Sequence, residues 1–293
     1  MSAREVPISF LCGEDRLYGI VHEPGAASEC GVLMLPGRPA LRTGRHRLFV
    51  LLARAWAEAG IPVMRFDYRG AGDCEGKMGT LDETCADIAS AIDAFLSSVP
   101  GLQRIILWGL CVGAADSLLY VPRDSRVAGI VLVNPWFYDA RLRTLVKIRR
   151  AGLRYLGSVR QRLRPFPSRE TFADDAAGEG FGLTGPFDDL AASMNLEATA
   201  VDQAYDSYRV AGLSKRLAEA LEIFQGRVLL ILSGGDTGAQ AFKRMASISW
   251  KWRQLLVQSR VESHELPEAN HSLRRPEWRG QVADWTVNWL REI

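Results

Sequence analysis

The sequence predicts an α/β protein whose mostly parallel central sheet is flanked by helices. Continuous apolar runs such as residues 30–35 (CGVLML) and 228–233 (VLLILS) are typical of strands buried on both faces of a sheet. These runs alternate with segments of helical spacing, which is the pattern of repeated β-α units and therefore of parallel strands. With 293 residues, the chain is long enough for one such domain that carries an insertion.

Taken in order, the elements begin with a hairpin and continue as β-α units. Residues 6–11 and 17–22 are predicted to be two short antiparallel strands joined by a polar turn. Apolar runs predict further strands at 30–35, 104–109, 127–133 and 228–233, and strands are also predicted at 62–66 and 261–266. Helical spacing predicts helices at 47–59, 81–98, 112–120, about 240–258 and about 278–290.

The alternation breaks at residues 136–218, which are predicted to form a helical cap inserted after the strand at 127–133. The core then comprises residues 1–135 and 219–293. Trp136 and Phe137 open this insertion, and we expect them either to line a pocket for an acyl group or to pack within the cap.

Charge is segregated within the predicted cap. Residues 141–169 contain nine arginines and Lys147 but no acid, whereas residues 170–206 contain nine acidic residues and no basic one. Either the two halves face and neutralise each other, or the basic half docks an acidic partner. Such a partner is an acyl carrier protein, the phosphate of a phosphopantetheine arm or an anionic membrane surface.

Composition indicates a soluble globular protein. A hydrophobic content of 47%, 24% charged residues and a net charge of +2 give no sign of a nucleic-acid partner. No apolar stretch approaches the length of a membrane span, and residues 1–10 lack the layout of a secretory signal. The five cysteines are odd in number and lack the spacing of metal sites, which predicts free thiols, a cytoplasmic location and no metal or other cofactor.

A cysteine lies at the centre of a sharp turn between a predicted strand and a predicted helix. This turn, which we call the elbow, reads Gly109-Leu110-Cys111-Val112-Gly113, a G-x-C-x-G motif. The central residue of such a turn is strained and projects above the sheet, and larger side chains at the flanking glycines would collide with the turn. Cys111 is therefore the candidate nucleophile, and the alternative is a buried structural cysteine.

A thiol nucleophile needs a general base, and the base needs an acid that orients it. His271 lies in a polar loop after the strand at 261–266, whereas His264 lies within that strand and is predicted to be structural. Asp236 follows the strand at 228–233. Because all three positions fall beyond the carboxyl ends of strands, where open α/β sheets assemble their sites, Cys111, His271 and Asp236 are predicted to form a catalytic triad.

Two loops are predicted to supply an oxyanion hole. One donor is the backbone N–H of Val112, directly after the nucleophile. The other is expected in the loop Pro36-Gly37-Arg38-Pro39, where the prolines have no N–H, so Arg38 is the donor and Gly37 permits close approach of the substrate. An ordinary Pro-Gly turn would have the same sequence.

The order nucleophile, acid, histidine is that of the α/β-hydrolase superfamily, which the chain resembles over about residues 17–135 and 225–291. More closely, four segments resemble the exosortase A system-associated hydrolase 1 group of bacterial exopolysaccharide and protein-sorting loci: FVLLARAWAEAGIPVMRFDYRGAGDCEG, WGLCVGAA, LILSGGDTGAQAF and NHSLRRPEWRGQVADWTVNWL. The loop at 36–39 departs from the Gly-Gly-Pro type of that group, and Val112 replaces a polar residue. These departures imply a specialised relative with a different acyl substrate.

Together the residues and the resemblance predict acyl transfer through a covalent intermediate on Cys111. Because a thiolate leaves more readily than an alkoxide, cysteine favours thioesters over esters as substrates, and transfer or cyclisation competes with hydrolysis. The alternative is a catalytically silent protein of this fold that binds a ligand in its cleft. The sequence leaves the acyl group, the acceptor and the oligomeric state open.

Overall fold

The computed structural model describes residues 3–25, 27–37, 40–136 and 212–293. Eight strands form its sheet: β1 (Arg4–Cys12), β2 (Asp15–Glu23), β3 (Cys30–Leu35), β4 (Val63–Phe66), β5 (Arg104–Leu110), β6 (Val127–Val133), β7 (Arg227–Ser233) and β8 (Val261–Leu266). The α-helices of the described ranges are α1 (Leu48–Glu58), α2 (Thr84–Ser98), α3 (Val112–Tyr120), α4 (Leu213–Ile223), α5 (Thr237–Ile248), α6 (Trp250–Leu256) and α7 (Pro276–Leu290).

The strands lie in the order β1-β2-β4-β3-β5-β6-β7-β8. Strands β1 and β2 form the predicted hairpin, and β2 pairs antiparallel with β4. All the remaining neighbours pair in parallel. The predicted mostly parallel α/β sheet is therefore confirmed, and the carboxyl ends of β3 and β5–β8 meet at one edge.

Helices cover both faces because the parallel strands are apolar on both sides. Ile106 and Trp108 of β5 point to the face that carries α1 and α7. Ile105 and Leu107 alternate with them and point to the face that carries α2 to α6. This double burial explains the continuous apolar runs of the sequence.

One predicted helix is two helices. The sequence predicts a single helix at about 240–258, but α5 ends at Ile248 and α6 begins at Trp250. Ser249 between them has an extended backbone (φ −79°, ψ 117°), and its side chain accepts a hydrogen bond from the N–H of Trp252. Serine at this position caps α6, since its hydroxyl replaces a missing helical partner.

The predicted cap falls almost entirely outside the described residues, because the structure describes nothing from 137 to 211. Its charged halves at 141–169 and 170–206 therefore stay predictions. Helix α4 follows this gap, and its apolar residues pack in the core against α3.

In the part of the chain that the structure describes, no helix is both long and apolar enough to cross a bilayer.

Candidate active site

The turn between β5 and α3 holds Cys111 in a strained conformation. Its φ is +60° and its ψ −114°, a region that non-glycine residues rarely occupy. Its N–H donates a hydrogen bond to the carbonyl of Val133 (2.9 Å), and its carbonyl accepts one from the N–H of Trp136 (3.3 Å). These bonds fix the turn to the end of the neighbouring strand β6.

Steric contacts explain why the motif has glycine at both of its ends. A Cβ at Gly109 would lie 2.3 Å from the carbonyl oxygen of Gly113. A Cβ at Gly113 would lie 2.2 Å from the carbonyl oxygen of Leu35, at the end of β3. Neither distance is tolerable, so α3 can start this close to β3 and β5 only with glycine at both positions.

Asp236 lies at the start of α5 and is held by that helix. Its carboxylate accepts a hydrogen bond from the N–H of Ala239 (2.5 Å), the bond of an N-terminal helix cap. The other carboxylate oxygen, Oδ2, forms a hydrogen bond with Nδ1 of His271. The N–H of Gly235 also donates to the carbonyl of Ala269 (2.9 Å), so the loop that carries Asp236 is tied to the loop that carries His271.

His271 contacts both other members of the predicted triad. Burial lowers the pKa of His271, but the charges of Asp236 and Cys111 and hydrogen bonds to both outweigh burial and hold that pKa well above its ordinary value. Since Nδ1 faces Asp236, the remaining nitrogen, Nε2, is the one available to Cys111. The structure thus brings Cys111, His271 and Asp236 together at the carboxyl edge of the sheet.

The elements of the predicted oxyanion hole meet at the same place. Val112 is the first residue of α3, where backbone N–H groups lack helical partners and the helix end carries a partial positive charge. A Cβ on Gly37 would lie 3.5 Å from the nitrogen of Val112 and 2.9 Å from the carbonyl oxygen of Leu110, so the loop after β3 reaches the elbow itself. Arg38 lies outside the described residues, and its role as second donor stays a prediction.

A cleft opens above these groups. Cys111, His271 and Gly37 line it, together with Ala40, Gly44, Arg45, Leu48, Phe49, Leu110 and Ser272. Among the described residues, Trp136 is not part of that lining; it is buried in the core on the side of α2 and α3 and contacts Cys111 through its backbone. Phe137 lies outside the described residues.

His264 lies apart from the triad. It is on β8, where its ring stacks on Trp285 with ring centroids 4.4 Å apart, and its Nε2 lies 2.7 Å from the carboxylate of Glu262. These contacts agree with the structural role predicted for it.

Asn134 was not predicted from the sequence, yet it joins the two halves of the site. It is buried just after β6, with φ at +46°. Its amide oxygen accepts the N–H of Ser233 (2.7 Å) and its amide nitrogen donates to the hydroxyl of Ser233 (3.0 Å). Val133 bonds to Cys111 and Ser233 leads into Asp236, so Asn134 links the strand beside the nucleophile to the strand that carries the acid. An Asn-Pro pair signals a turn in sequence but not the partner of the side chain.

Asp67 fixes the loop between β3 and α1. Its fully buried carboxylate accepts hydrogen bonds from the backbone N–H and the guanidinium of Arg42. Burial raises the pKa of Asp67, and Arg42 opposes that shift. Arg42 also pairs with Asp73 (2.9 Å), so the loop that follows Gly37 is tied to the loop that follows β4.

In the described ranges, no group of three or more His, Cys, Asp or Glu side chains has an arrangement that could hold a metal ion.

Solved structures of low sequence identity share this fold over nearly the whole chain. The esterase Pf2001 of Pyrococcus furiosus has a TM-score of 0.60 at 16% identity, with 98% of this chain and 94% of that chain covered. The α/β-hydrolase GrgF from Penicillium sp. sh18 has a TM-score of 0.63 at 17% identity, with 100% and 99% covered. Est1E from Butyrivibrio proteoclasticus, solved with ferulic acid bound, has a TM-score of 0.60 at 14% identity, with 97% and 98% covered. The shared feature is the α/β-hydrolase fold, as the sequence predicts.

Sequence comparison finds a relative and a family. Over 90 residues the chain is 37% identical to an uncharacterized 31.7 kDa protein of the traX-finO intergenic region of Escherichia coli. That alignment covers 30% of this chain and 32% of the relative, so the match spans about a third of the relative's length. Residues 44–221, more than half of the chain, match the family model Hydrolase_4, described as serine aminopeptidase, S33. The chain therefore belongs to the S33 serine aminopeptidase-like hydrolase family of the α/β-hydrolase superfamily.

Proposed function

We propose that this protein is an acyl-transfer enzyme that forms a covalent acyl-thioester on Cys111. The observation that carries the proposal is that Asp236 bonds to His271, which lines the same cleft as Cys111 at a strained strand-to-helix turn. A structural cysteine needs neither the strained turn nor a histidine whose other nitrogen faces a buried carboxylate.

The chemistry of the first half-reaction follows from the positions of the three groups. His271 accepts the thiol proton, and the Cys111 sulfur attacks the carbonyl carbon of the substrate, which forms a new C–S bond. The bond to the leaving group then breaks, and His271 returns the proton to the leaving thiolate or alkoxide. Asp236 stabilises the imidazolium and keeps the ring in the orientation that leaves Nε2 facing Cys111.

The second half-reaction releases the acyl group. His271 removes a proton from the acceptor, which is water in hydrolysis, or, in transfer and cyclisation, an amine, an alcohol or an acidic C–H group that becomes a carbanion. The acceptor attacks the acyl-enzyme, and the sulfur of Cys111 leaves and regains its proton. In both halves the N–H of Val112, with Arg38 as the proposed second donor, stabilises the developing oxyanion.

The choice of substrate class rests on the nucleophile. The family name refers to a serine enzyme, whereas the central residue of this elbow is Cys111. Exchange of one thioester for another is nearly balanced in free energy, so a thioester suits this nucleophile better than an amide. The closer likeness to the exosortase A system-associated group, an acidic acyl carrier docked on residues 141–169 and a cytoplasmic location are further proposals from the sequence.

Intact-mass spectrometry tests the proposal. The protein is mixed with butyryl or octanoyl N-acetylcysteamine thioesters and quenched in acid within seconds, and its intact mass is measured. Release of the free thiol is followed in parallel. We expect one added acyl group and thiol release for the wild type and for Cys30→Ala, a control at a cysteine that is less buried than Cys111. Neither should be seen for Cys111→Ala.

Two outcomes would overturn the proposal. Acylation of Cys111→Ala at the wild-type rate would show that the nucleophile is another group. Saturable binding of the probes without adduct or thiol release would favour the catalytically silent binding protein instead. Identification of the product as the free acid, or as an adduct of an added amine or alcohol, separates hydrolysis from transfer.

A further inference from the structure

The described lining of the cleft is mostly apolar. Apart from the reacting residues Cys111 and His271, it consists of glycine, alanine, leucine and phenylalanine with two exceptions, Arg45 and Ser272. The apolar members are Gly37, Ala40, Gly44, Leu48, Phe49 and Leu110. Apolar walls with a few polar groups are typical of sites for small molecules, and the polar groups fix the orientation of the ligand. The hydroxyl of Ser272 is therefore a candidate for contact with the substrate.

This hydroxyl takes no part in the hydrogen bonds of the fold. Ser272 is 8% exposed, and within the described ranges its side chain forms no hydrogen bond. The other two buried serines of those ranges both form one: the hydroxyl of Ser117 donates to the carbonyl of Gly113 (2.8 Å), and that of Ser233 accepts from the amide of Asn134 (3.0 Å). Because a buried hydroxyl without a partner costs free energy, buried polar groups are normally paired. A partner from outside the protein would explain the exception.

The hydroxyl of Ser272 is open to the cleft. In the part of the chain that the structure describes, the fully enclosed polar atoms without a partner include Nδ1 of His22 and the indole nitrogens of Trp108 and Trp289, but not Oγ of Ser272. Its oxygen therefore keeps some accessible surface, and the space that Ser272 borders is the cleft. A molecule bound in the cleft can thus reach this oxygen.

The turn that carries His271 also holds Ser272 in place. The N–H of Leu273 donates to the carbonyl of Asn270 (3.2 Å), and the N–H of Arg274 donates to the side-chain oxygen of Asn270 (3.1 Å). Leu273 is fully buried in the core, on the side of the sheet that carries α1 and α7. The hydroxyl of Ser272 is therefore fixed relative to the catalytic histidine before the substrate binds, and a fixed donor gives specificity at low entropic cost.

We propose that the cleft takes a thioester with an apolar acyl chain, and that the hydroxyl of Ser272 forms a hydrogen bond with an oxygen of this substrate other than the reacting carbonyl oxygen. This inference rests on the proposed function, because it names the substrate class of the same site. Two parts of a thioester can supply such an oxygen: a hydroxyl on the acyl chain, or an amide carbonyl on the leaving thiol. Both present the same chemistry to Ser272.

The two enantiomers of 3-hydroxybutyryl N-acetylcysteamine test the acyl chain. Enantiomers have the same intrinsic reactivity, so the ratio of their kcat/KM values depends only on contacts with the protein. We expect one enantiomer to be preferred about fivefold or more by the wild type, and we expect Ser272→Ala to lose most of that preference, because it lacks the hydrogen bond that places the substrate hydroxyl.

A second pair of thioesters tests the leaving group. Butyryl N-acetylcysteamine contains an amide, and S-pentyl thiobutyrate has a leaving group of the same length without it. The intrinsic reactivities of these two thioesters differ, but the difference is the same for every variant and cancels when variants are compared. If the amide is the partner of Ser272, this second ratio falls several-fold in Ser272→Ala and the enantiomer ratio does not.

Ser263→Ala is the matched control. Ser263 is exposed on β8, and within the described ranges its side chain likewise forms no hydrogen bond. Both ratios should keep their wild-type values in this control. The Tm of Ser272→Ala should be equal to or above that of the wild type, since no hydrogen bond of the fold is lost. Two unchanged ratios in Ser272→Ala would overturn the proposal. A Tm several degrees below that of the wild type would also overturn it, because the hydroxyl would then serve the fold.

A readout without turnover keeps Ser272 testable if acyl transfer itself is not found. Cys111→Ala cannot form the acyl-enzyme, so calorimetry gives a Kd for each of the four thioesters. We expect the Kd ratio within one pair to differ several-fold between Cys111→Ala and Cys111→Ala/Ser272→Ala. Failure of the thioesters to acylate the wild type counts against the proposed function, whereas equal Kd ratios with and without the hydroxyl of Ser272 count against this inference.

Discussion

The side chain of His271 is 15% exposed and that of His22 is fully buried, and their surroundings move their pKa values in opposite directions. His271 contacts a carboxylate and a thiol, which hold its pKa well above the ordinary value. His22 lies fully buried in β2, where Nε of Arg65 donates a hydrogen bond to its Nε2 (2.8 Å). Burial and the charge of Arg65 lower the pKa of His22 to about 4.

Burial lowers the pKa of both histidines, so the difference shows that the partner of each ring sets the direction of the net shift. An imidazole against a carboxylate can hold a proton, whereas one against a guanidinium must stay neutral and serve as an acceptor. Their places in the sheet agree with this division. His271 is in a loop at the carboxyl edge of the sheet, and His22 is within an antiparallel pair of strands. There its neighbour Arg65 forms an ion pair with Glu5, which also pairs with Arg54.

The largest expected effect on kcat/KM comes from replacing each of the two histidines separately. His271→Ala removes the base, and we expect kcat/KM for a neutral thioester to fall about 10⁵-fold. His22→Gln keeps an acceptor for Arg65 and should stay within about threefold of wild type, because it is far from the reacting atoms. Thiol-release kinetics measure both, and a similar loss in the two variants would contradict the comparison.

The carboxylate that distinguishes the two sites can be neutralised without loss of its helix cap. Asp236→Asn retains a side-chain oxygen for the N–H of Ala239, and asparagine caps helices as well as aspartate does. We expect kcat to fall about 10⁴-fold, since the amide neither stabilises the imidazolium nor fixes the reactive tautomer. Asp284→Asn, at an exposed position of α7, is the matched control. Activity within tenfold of wild type in Asp236→Asn would show that the carboxylate does not set the state of His271.

Local patterns are the reason why much of this site could be predicted. The elbow at Cys111 is contained in five successive residues, and strands buried on both faces have apolar runs that locate their ends. Asp236 follows such an end, and His271 follows the mixed polar and apolar edge strand β8, so the parallel order of β5–β8 brings them to the same edge. These inferences require the order of the elements but no side-chain contact.

The remaining features depend on contacts that are distant in sequence. Arg65 reaches His22 across 43 positions, and Asn134 reaches Ser233 across 99. Nothing near His22 distinguishes it from any other strand histidine, since its pKa is set by burial and by a neighbour on another strand. The break at Ser249 was missed for a different reason: a single side-chain cap there outweighs helical spacing that continues on both sides.

The two histidines should also affect the free energy of unfolding in different pH ranges. His22 stays neutral when folded but is protonated below about pH 6.5 when unfolded, so its contribution is present above that pH and is lost as the pH falls towards about 4. The difference between these values corresponds to about 3 kcal/mol of unfolding free energy. Urea midpoints between pH 7.5 and pH 4.5 should fall by less in His22→Gln than in the wild type.

His271 acts in the opposite sense over a different range. Its raised pKa contributes stability that is fully present below about pH 6.5 and is lost as the pH rises through the folded value. His271→Ala should therefore flatten the alkaline side of the stability profile and leave the acidic side unchanged. If His271→Ala instead removed the loss of stability at acidic pH, the opposite pKa shifts of His271 and His22 would be contradicted.

The smallest effect on kcat is expected at Asn134, whose side chain links the strands β6 and β7 next to the site of His271. Asn134→Gly accepts the φ of +46° without strain but loses both bonds to Ser233, whereas Ser233→Ala loses only the bond to the hydroxyl. We expect kcat to fall about tenfold in the first and about threefold in the second, with KM for a neutral thioester nearly unchanged, because Cys111 and Asp236 are held less firmly relative to each other. The acidic limb of the pH–rate profile, which reports the base His271, should move in Asn134→Gly, while the acidic slope of stability from His22 stays. If Asn134→Gly loses stability but keeps its kcat and its pH–rate profile, then Asn134 only joins two strands and does not position the reacting groups.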